Sequence, residues 1–348
     1  MYRTEGAARE QVDCVVCLPS RRNCRTDVRR IPAAPAVQRL QVAAFRDFAC
    51  DCVDDGRRVV GTTPDADPDL SDALRRKRGA SVDRGIIAGP EAVVWNPERG
   101  ELDPAALEGI DALIHLAGEN IAQRWTDTAK REIRESRVRS TKLIARALAA
   151  MERPPRVWLS GSAVGIYGDR GTELLDESSA PGKGFLADVV LAWEGATEAV
   201  HRGDVRVVHL RSGLVLDASG GALPKMLPPF RIGLGGKIGS GEQMMSWIER
   251  SDWVRAVEKL LRAPLVNGPV NLVAPTPVSN AEFSASLGRV LGKPAALTVP
   301  EFAIRLALGE MGKEVLLAGQ RVVPTRLLGA GNSFAYETID AALRAVLA

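Results

Sequence analysis

Cysteine is absent after residue 52: Cys14, Cys17, Cys24, Cys50 and Cys52 are all that the chain contains. An odd count without a secretory leader argues against a disulfide framework. Cys14 and Cys17 have the spacing that can open a zinc site. No second well-spaced Cys/His pair follows, and Cys50 and Cys52 are one residue apart, so no metal site is expected. Also missing is any apolar run near the roughly 20 residues that a membrane helix needs. The start, Met1-Tyr2-Arg3-Thr4-Glu5-Gly6, lacks the charged-then-apolar layout of a signal peptide. Neither charge sign dominates: Lys+Arg 46 against Asp+Glu 43 leaves +3, without the concentrated basic face of a nucleic-acid protein. No internal repeat is visible. These absences predict a soluble, cytoplasmic protein with no membrane or nucleic-acid partner, and an oligomeric state that the sequence leaves open.

At about 150 residues per domain, 348 residues hold two domains or one large α/β domain. Residues 1–56 carry nine Arg, no Lys and little amphipathic period, and read as a poorly ordered or spurious extension outside the fold. From residue 57 apolar strands and helices alternate. Arg57–Thr63 reads as a strand, Leu70–Gly79 as a helix, and Ala80–Asp83 and Ala92–Trp95 as the next two strands. Asp111–Gly118 is a buried-strand run, followed by a helix over about Thr126–Met151 with Ile133, Ser140, Ile144, Ala147 and Met151 at helical spacing. Arg156–Ser162 and Val205–Arg211 are further strands, separated by a helical stretch from Phe185 to Arg202. Such alternation predicts a doubly wound parallel sheet with helices on both faces.

That fold binds ligands outside the carboxyl ends of its strands. Three strand ends are small and carry glycine: Gly61-Thr62-Thr63, His115-Leu116-Ala117-Gly118 and Ser160-Gly161-Ser162. Glycine lets a ligand approach the backbone closely. Further on, Gly233–Gly241 is too rich in glycine for a regular element and leads to Gln243, Ser246 and Trp247-Ile248, a segment suited to cover a substrate. Ser251-Asp252 is a helix N-cap signal. Pro300-Glu301 opens a helical run whose Phe302, Leu306, Met311 and Leu316 are expected to pack between C-terminal helices, and residues 336–343 suggest a docked amphipathic helix.

The ordered motifs His115-Leu116-Ala117-Gly118-Glu119-Asn120-Ile121-Ala122, Arg124-Trp125-Thr126, Ser136-Arg137-x-x-Ser140-Thr141, Ser160–Gly168 and Arg211–Leu216 are similar to those of the epimerase family. These are atypical short-chain dehydrogenase/reductases related to the NAD-dependent epimerase/dehydratases. Gly235–Ile248 and the tail Gly319-Gln320-Arg321-Val322-Val323-Pro324 extend the resemblance over about residues 57–347. It implies an extended Rossmann-type fold binding NADP(H), with NAD possible, and an oxidoreductase or epimerase-like activity on a small polar substrate. The dinucleotide domain would span 57–215 with part of 250–280, and a small C-terminal α/β substrate domain 216–348. Cofactor contacts would come from Gly61, Thr62, Thr63, Arg84, His115, Leu116, Ala117, Gly118, Ser160 and Gly161. Substrate contacts would come from Glu119, Asn120, Arg211, Gln243 and Trp247.

Two departures from the family pattern matter. Where the family has a G-x-x-G-x-x-G phosphate loop, this chain has Gly61-Thr62-Thr63-Pro64-Asp65-Ala66-Asp67-Pro68-Asp69. Three carboxylates repel a pyrophosphate, and two prolines remove amide donors. The stretch reads either as a loop that has lost cofactor affinity or as coding sequence out of frame here and upstream. Second, Phe185 and Val189 stand where related enzymes carry the Tyr and Lys of Tyr-x-x-x-Lys, and neither transfers a proton. Ser162 and Tyr167 are therefore the catalytic candidates, with Glu119 and His115 also near the strand ends. A chain without the Tyr-Lys pair also fits a catalytically silent nucleotide-binding or sensor protein.

Overall fold

The computed structural model describes residues 15–19, 39–40, 93–200 and 205–348. The expected elements at 57–63, 70–79 and 80–83, the altered phosphate loop, Arg84 and the Cys14 and Cys24–Cys52 positions lie outside them. Five strands form the central sheet, β1 (Val15–Pro19), β2 (Ile110–His115), β3 (Val157–Ala163), β4 (Arg206–Ser212) and β5 (Gly268–Leu272), in spatial order β1-β2-β3-β4-β5. β2 to β5 run parallel, and β1 pairs antiparallel with β2. Val15–Pro19, within the stretch expected outside the fold, is β1 of the sheet, and Arg39–Leu40 pairs with Val93–Asn96. The run at 92–95 is not a member of the parallel sheet: Val93–Asn96 forms an antiparallel hairpin with Glu101–Leu102.

The parallel strands are apolar on both faces because helices cover both. One face packs Leu113, Trp158 and Val207 against Ile144 and Leu148 of α1 (Asp127–Ala150). The other packs Ala112, Ile114, Leu159, Val208 and Leu210 against Trp253, Val254 and Val257 of a later helix, Arg250–Arg262. Burying each such side chain contributes about 1.5–3 kcal/mol, so the two faces together fix the strand register. Thr126 caps α1 by accepting from the Ala129 N–H. α2 (Phe185–Gly195) packs against α1 and β3. It is shorter than the expected 185–202, ending at Gly195 before a 3₁₀ turn at Glu198–Val200.

Beyond β4 the chain builds α3 (Leu223–Arg231), α4 (Arg250–Arg262), α5 (Asn280–Leu291), α6 (Glu301–Met311), a π-helical turn (Gly312–Leu317), α7 (Thr325–Gly329) and α8 (Ile339–Leu347). Leu223, Phe230, Trp247, Phe283, Ile339 and Leu343 form their shared core. Two sequence expectations are corrected here. The cap of α4 is Glu249, whose carboxylate accepts from the Ser251 and Asp252 N–H groups, while Asp252 receives the N–H groups of Ala335 and Tyr336. Phe302 and Leu306, expected to pack between helices, are 71% and 84% exposed on α6.

Candidate functional site

The parallel register sets His115, Ser160 and His209 abreast, and one step further Ser162 beside Arg211. Ser162 and Arg211 lie next to the last residues of β3 and β4, at the carboxyl edge where an open α/β sheet receives ligands.

Behind that edge lies a buried polar network. The Ser162 hydroxyl donates to Glu194 Oε1 at 2.6 Å. Arg211 clamps the same carboxylate with Nε to Oε1 at 2.8 Å and Nη2 to Oε2 at 2.9 Å, a bidentate geometry that matches the guanidinium fork. Arg211 Nη1 donates to the Tyr167 hydroxyl at 3.0 Å, which donates in turn to Asn271 Oδ1 at 2.8 Å. Burial pushes the Glu194 carboxyl up, but the Arg211 hydrogen bonds, the charges of His209 and Arg211 and the Ser162 hydroxyl outweigh it and hold the group below the usual carboxylate range. Burial opposes the Arg211 charge, yet Glu194 and Tyr167 raise its pKa overall. Burial raises the Tyr167 phenol against the pull of Arg211 and Asn271.

Several expected contacts therefore take other partners. Arg211 is buried and committed to Glu194 and Tyr167, so it has no free fork for a substrate. Tyr167 is 0% exposed. Trp247 is fully buried in the C-terminal core and donates to the Thr276 carbonyl, so its indole packs the interior rather than covering a ligand. Gln243 holds backbone, donating to the Ile238 and Leu316 carbonyls at 3.1 Å. His115 does not line the ligand edge: it is buried under α1, edge-on to Trp95 at 6.1 Å and 3.4 Å from the Thr141 hydroxyl, and burial lowers its pKa to about 3. Ser160 and Ala117 are also fully buried. Gly161 is small because Trp193 needs the space: a Cβ there would stand 2.7 Å from the indole.

The loop after β2 remains accessible. Gly118, Glu119 and Leu116 are half-buried and Asn120 is exposed. The Glu119 N–H donates to Ser136 Oγ at 3.0 Å, and Asn120 Oδ1 accepts from the Ala122 N–H at 2.8 Å. Under this loop lies Arg137, which the sequence marks only as part of the Ser136-Arg137-x-x-Ser140-Thr141 motif. Its Nη1 donates to the carbonyls of Glu119 at 2.9 Å and Ile133 at 3.0 Å. The guanidinium sits 5.2 Å over the Trp193 ring, and a Cβ on Gly118 would be 2.9 Å from its central carbon. Burial lowers its pKa to about 10, with the Glu119 charge opposing the shift. Among the described residues no carboxylate forms a salt bridge with it. The guanidinium is thus held by two carbonyls and the Trp193 face, with the Glu119 charge acting on it from a distance rather than through a salt bridge. Glu194 carries little sequence signal: it is one of two carboxylates, with Asp188, in the mostly apolar helix Phe185–Gly195.

On the opposite side, Phe185 is half-buried, with the edge of Trp125 at 4.8 Å and the Lys130 ammonium 4.6 Å from its ring centre. Val189 is 2% exposed and packed inward. Among the described residues no group of three or more His, Cys, Asp or Glu could hold a metal ion, and no helix is long and apolar enough to cross a membrane.

Comparison with known proteins agrees with this architecture. An epimerase family protein of Mycobacterium bovis is 44% identical over 261 residues, 75% of this chain and 86% of the relative. The crystal structure of human epimerase family protein SDR39U1 with NADPH superposes with a TM-score of 0.65 at 37% identity, covering 68% of this chain and 81% of that one. A structure described as a nucleoside-diphosphate sugar epimerase from Corynebacterium glutamicum gives 0.58 at 36% identity, over 72% and 48%. Residues 299–346 match a domain of unknown function (DUF1731). The sheet is thus of the Rossmann type, and with residues 97–272 matching its model, the chain belongs to the NAD dependent epimerase/dehydratase family.

Proposed function

We propose that the chain binds NADP(H) across the carboxyl edge of β2 and β3 and is an oxidoreductase or epimerase-type enzyme acting on a small polar substrate. The observation that carries this reading is Arg137, a buried guanidinium beside Gly118 that hydrogen-bonds two carbonyls and, among the described residues, makes no salt bridge. That donor set fits a phosphate-bearing cofactor, because an anion supplies the charge and acceptors that two carbonyls do not. The human relative was crystallised with NADPH. When bound, the nicotinamide supplies hydride chemistry. Gly118 admits the ligand to the backbone, Arg137 neutralises an anion, and Ser162 presents a hydroxyl whose proton points at Glu194. Because that proton is already donated in the hydrogen bond to Glu194, the Ser162 oxygen is left to act as an acceptor rather than a proton donor. NAD remains within the cofactor reading.

A second reading, a nucleotide-binding protein without turnover, is favoured by Phe185 and Val189, which carry no titratable group on α2. Fluorescence titration with NADPH tests the first requirement. Wild type binds and Arg137→Gln binds at least tenfold more weakly; equal affinities overturn the assignment of Arg137. Turnover of a carbonyl panel by the NADPH-bound protein separates the enzyme from the silent binder.

A further inference from the structure

The C-terminal unit sends two carboxylates, four residues apart, across to the first turn of α2. Glu314, in the π-helical turn, accepts the Phe185 N–H on Oε1 and the Leu186 N–H on Oε2, both at 2.9 Å. Glu310, at the end of α6, holds the Lys130 ammonium at 2.8 and 2.9 Å. Lys130 is the cation over the Phe185 ring. α2 has no cap of its own: the residue before it is Gly184 at φ +117°, without a side chain to accept an N–H. A Cβ at Gly184 would lie 3.0 Å from the Glu314 carboxylate, so the missing side chain makes room for the distant one. Gly309, at φ +59°, kinks α6 immediately before Glu310.

The capped turn borders the ligand edge. Phe185 meets Trp125 of the loop after β2, and Leu186 lies 3.5 Å from where a Cβ on Gly165 would stand, in the 3₁₀ turn that ends β3. We propose that the C-terminal unit serves as a clasp for the active-site helix, with Glu314 the positioning residue that caps α2 from another part of the chain. Glu310 fixes Lys130 against Phe185. The first four N–H groups of a helix have no partner within it, and two of those of α2 are held only while the C-terminal unit is seated. The order of the crevice wall is then a property of residues 299–317 as much as of the sheet. This rests on the cofactor reading only in saying what the wall faces.

Hydrogen exchange and NADPH fluorescence on the full chain test it together. Glu314→Ala accelerates exchange of the Phe185 and Leu186 amides at least tenfold, raises the NADPH Kd at least fivefold and shifts the emission of the bound nicotinamide. Glu314→Asp, one methylene short, does the same with charge retained, and Glu314→Gln, which keeps an acceptor, restores much of both. Asp340→Asn, which breaks the Arg289–Asp340 pair elsewhere in the C-terminal unit, lowers Tm without changing Kd or emission. Unchanged amide exchange in the Ala and Asp variants overturns the cap. Faster exchange with wild-type Kd and emission reduces Glu314 to a structural role and overturns the positioning claim. Should wild type bind no NADPH, the cofactor reading fails, while exchange still judges the cap.

Discussion

The Ser162 hydroxyl on β3 donates a hydrogen bond to Glu194 on α2 across 2.6 Å, and the same carboxylate is clamped by Arg211. A buried carboxylate stays ionised only with such partners. The pair therefore joins strand, helix and neighbouring strand through charge rather than through apolar packing alone.

Glu194→Gln removes the charge but keeps the shape. Arg211 is then left buried without its counter-ion, which costs about 3–5 kcal/mol when one member of a buried pair is removed. Denaturant unfolding should show a loss of that order. Arg211→Met made together with Glu194→Gln should recover part of it, because no buried charge remains. Strictly additive losses in the double variant would show that the two side chains do not stabilise each other.

Acid should weaken the fold in two stages. His115 is neutral when folded, with its pKa lowered to about 3 from 6.5. Its contribution is fully present above 6.5 and is lost as pH falls from there toward 3, because the unfolded chain takes up the proton first. At pH 5.5 the loss is about 1.4 kcal/mol. Glu194, also lowered, loses its contribution only below its unfolded value of 4.5. His115→Phe, which keeps a ring against Trp95, should flatten the Tm profile between pH 6.5 and 4.5 and leave the steeper fall below it. An unchanged slope would mean that His115 titrates normally in the fold.

The strands and long helices were legible because their patterns are physical. Asp111–Leu116 and Val205–Arg211 are short, largely apolar runs alternating with helical stretches, which fits central parallel strands, and Thr126 signals the start of α1 by its capping oxygen. The site was harder to read. Arg211 and Trp247 look like binding residues in one dimension, yet partners 17 and 29 positions away, Glu194 and the Thr276 carbonyl, occupy them. Glu314 lies 129 residues from the amide it caps, a separation that no local pattern encodes. The exposed Phe302 and Leu306 show the reverse limit: apolar spacing reports that a face exists, not that anything covers it.

Gly161 tests the packing of that interior. A methyl here would meet two indole carbons of Trp193 at 2.7 and 2.9 Å and the His115 carbonyl at 3.2 Å. Trp193 is held in turn by its hydrogen bond to Thr141 at 3.0 Å. Overpacking of this kind costs about 1–3 kcal/mol. Gly161→Ala should lower stability by that amount and alter the near-ultraviolet circular dichroism of Trp193. Wild-type stability would require the indole to move without cost, against its fixed hydrogen bond.

Gly118→Ala separates ligand approach from stability. The added methyl faces the Arg137 side chain, its guanidinium carbon at 2.9 Å and its Nε and Cγ at 3.2 Å, rather than backbone, and Gly118 does not have a positive φ. Arg137 can yield by tenths of an ångström, so the fold should lose about 1 kcal/mol or less. An anion bound there would lose both its close approach to the backbone and the placement of its counter-charge. NADPH affinity should fall tenfold or more while Tm changes by a few degrees. A large loss of stability with unchanged affinity would instead make Gly118 a packing residue and move the anion site away from Arg137.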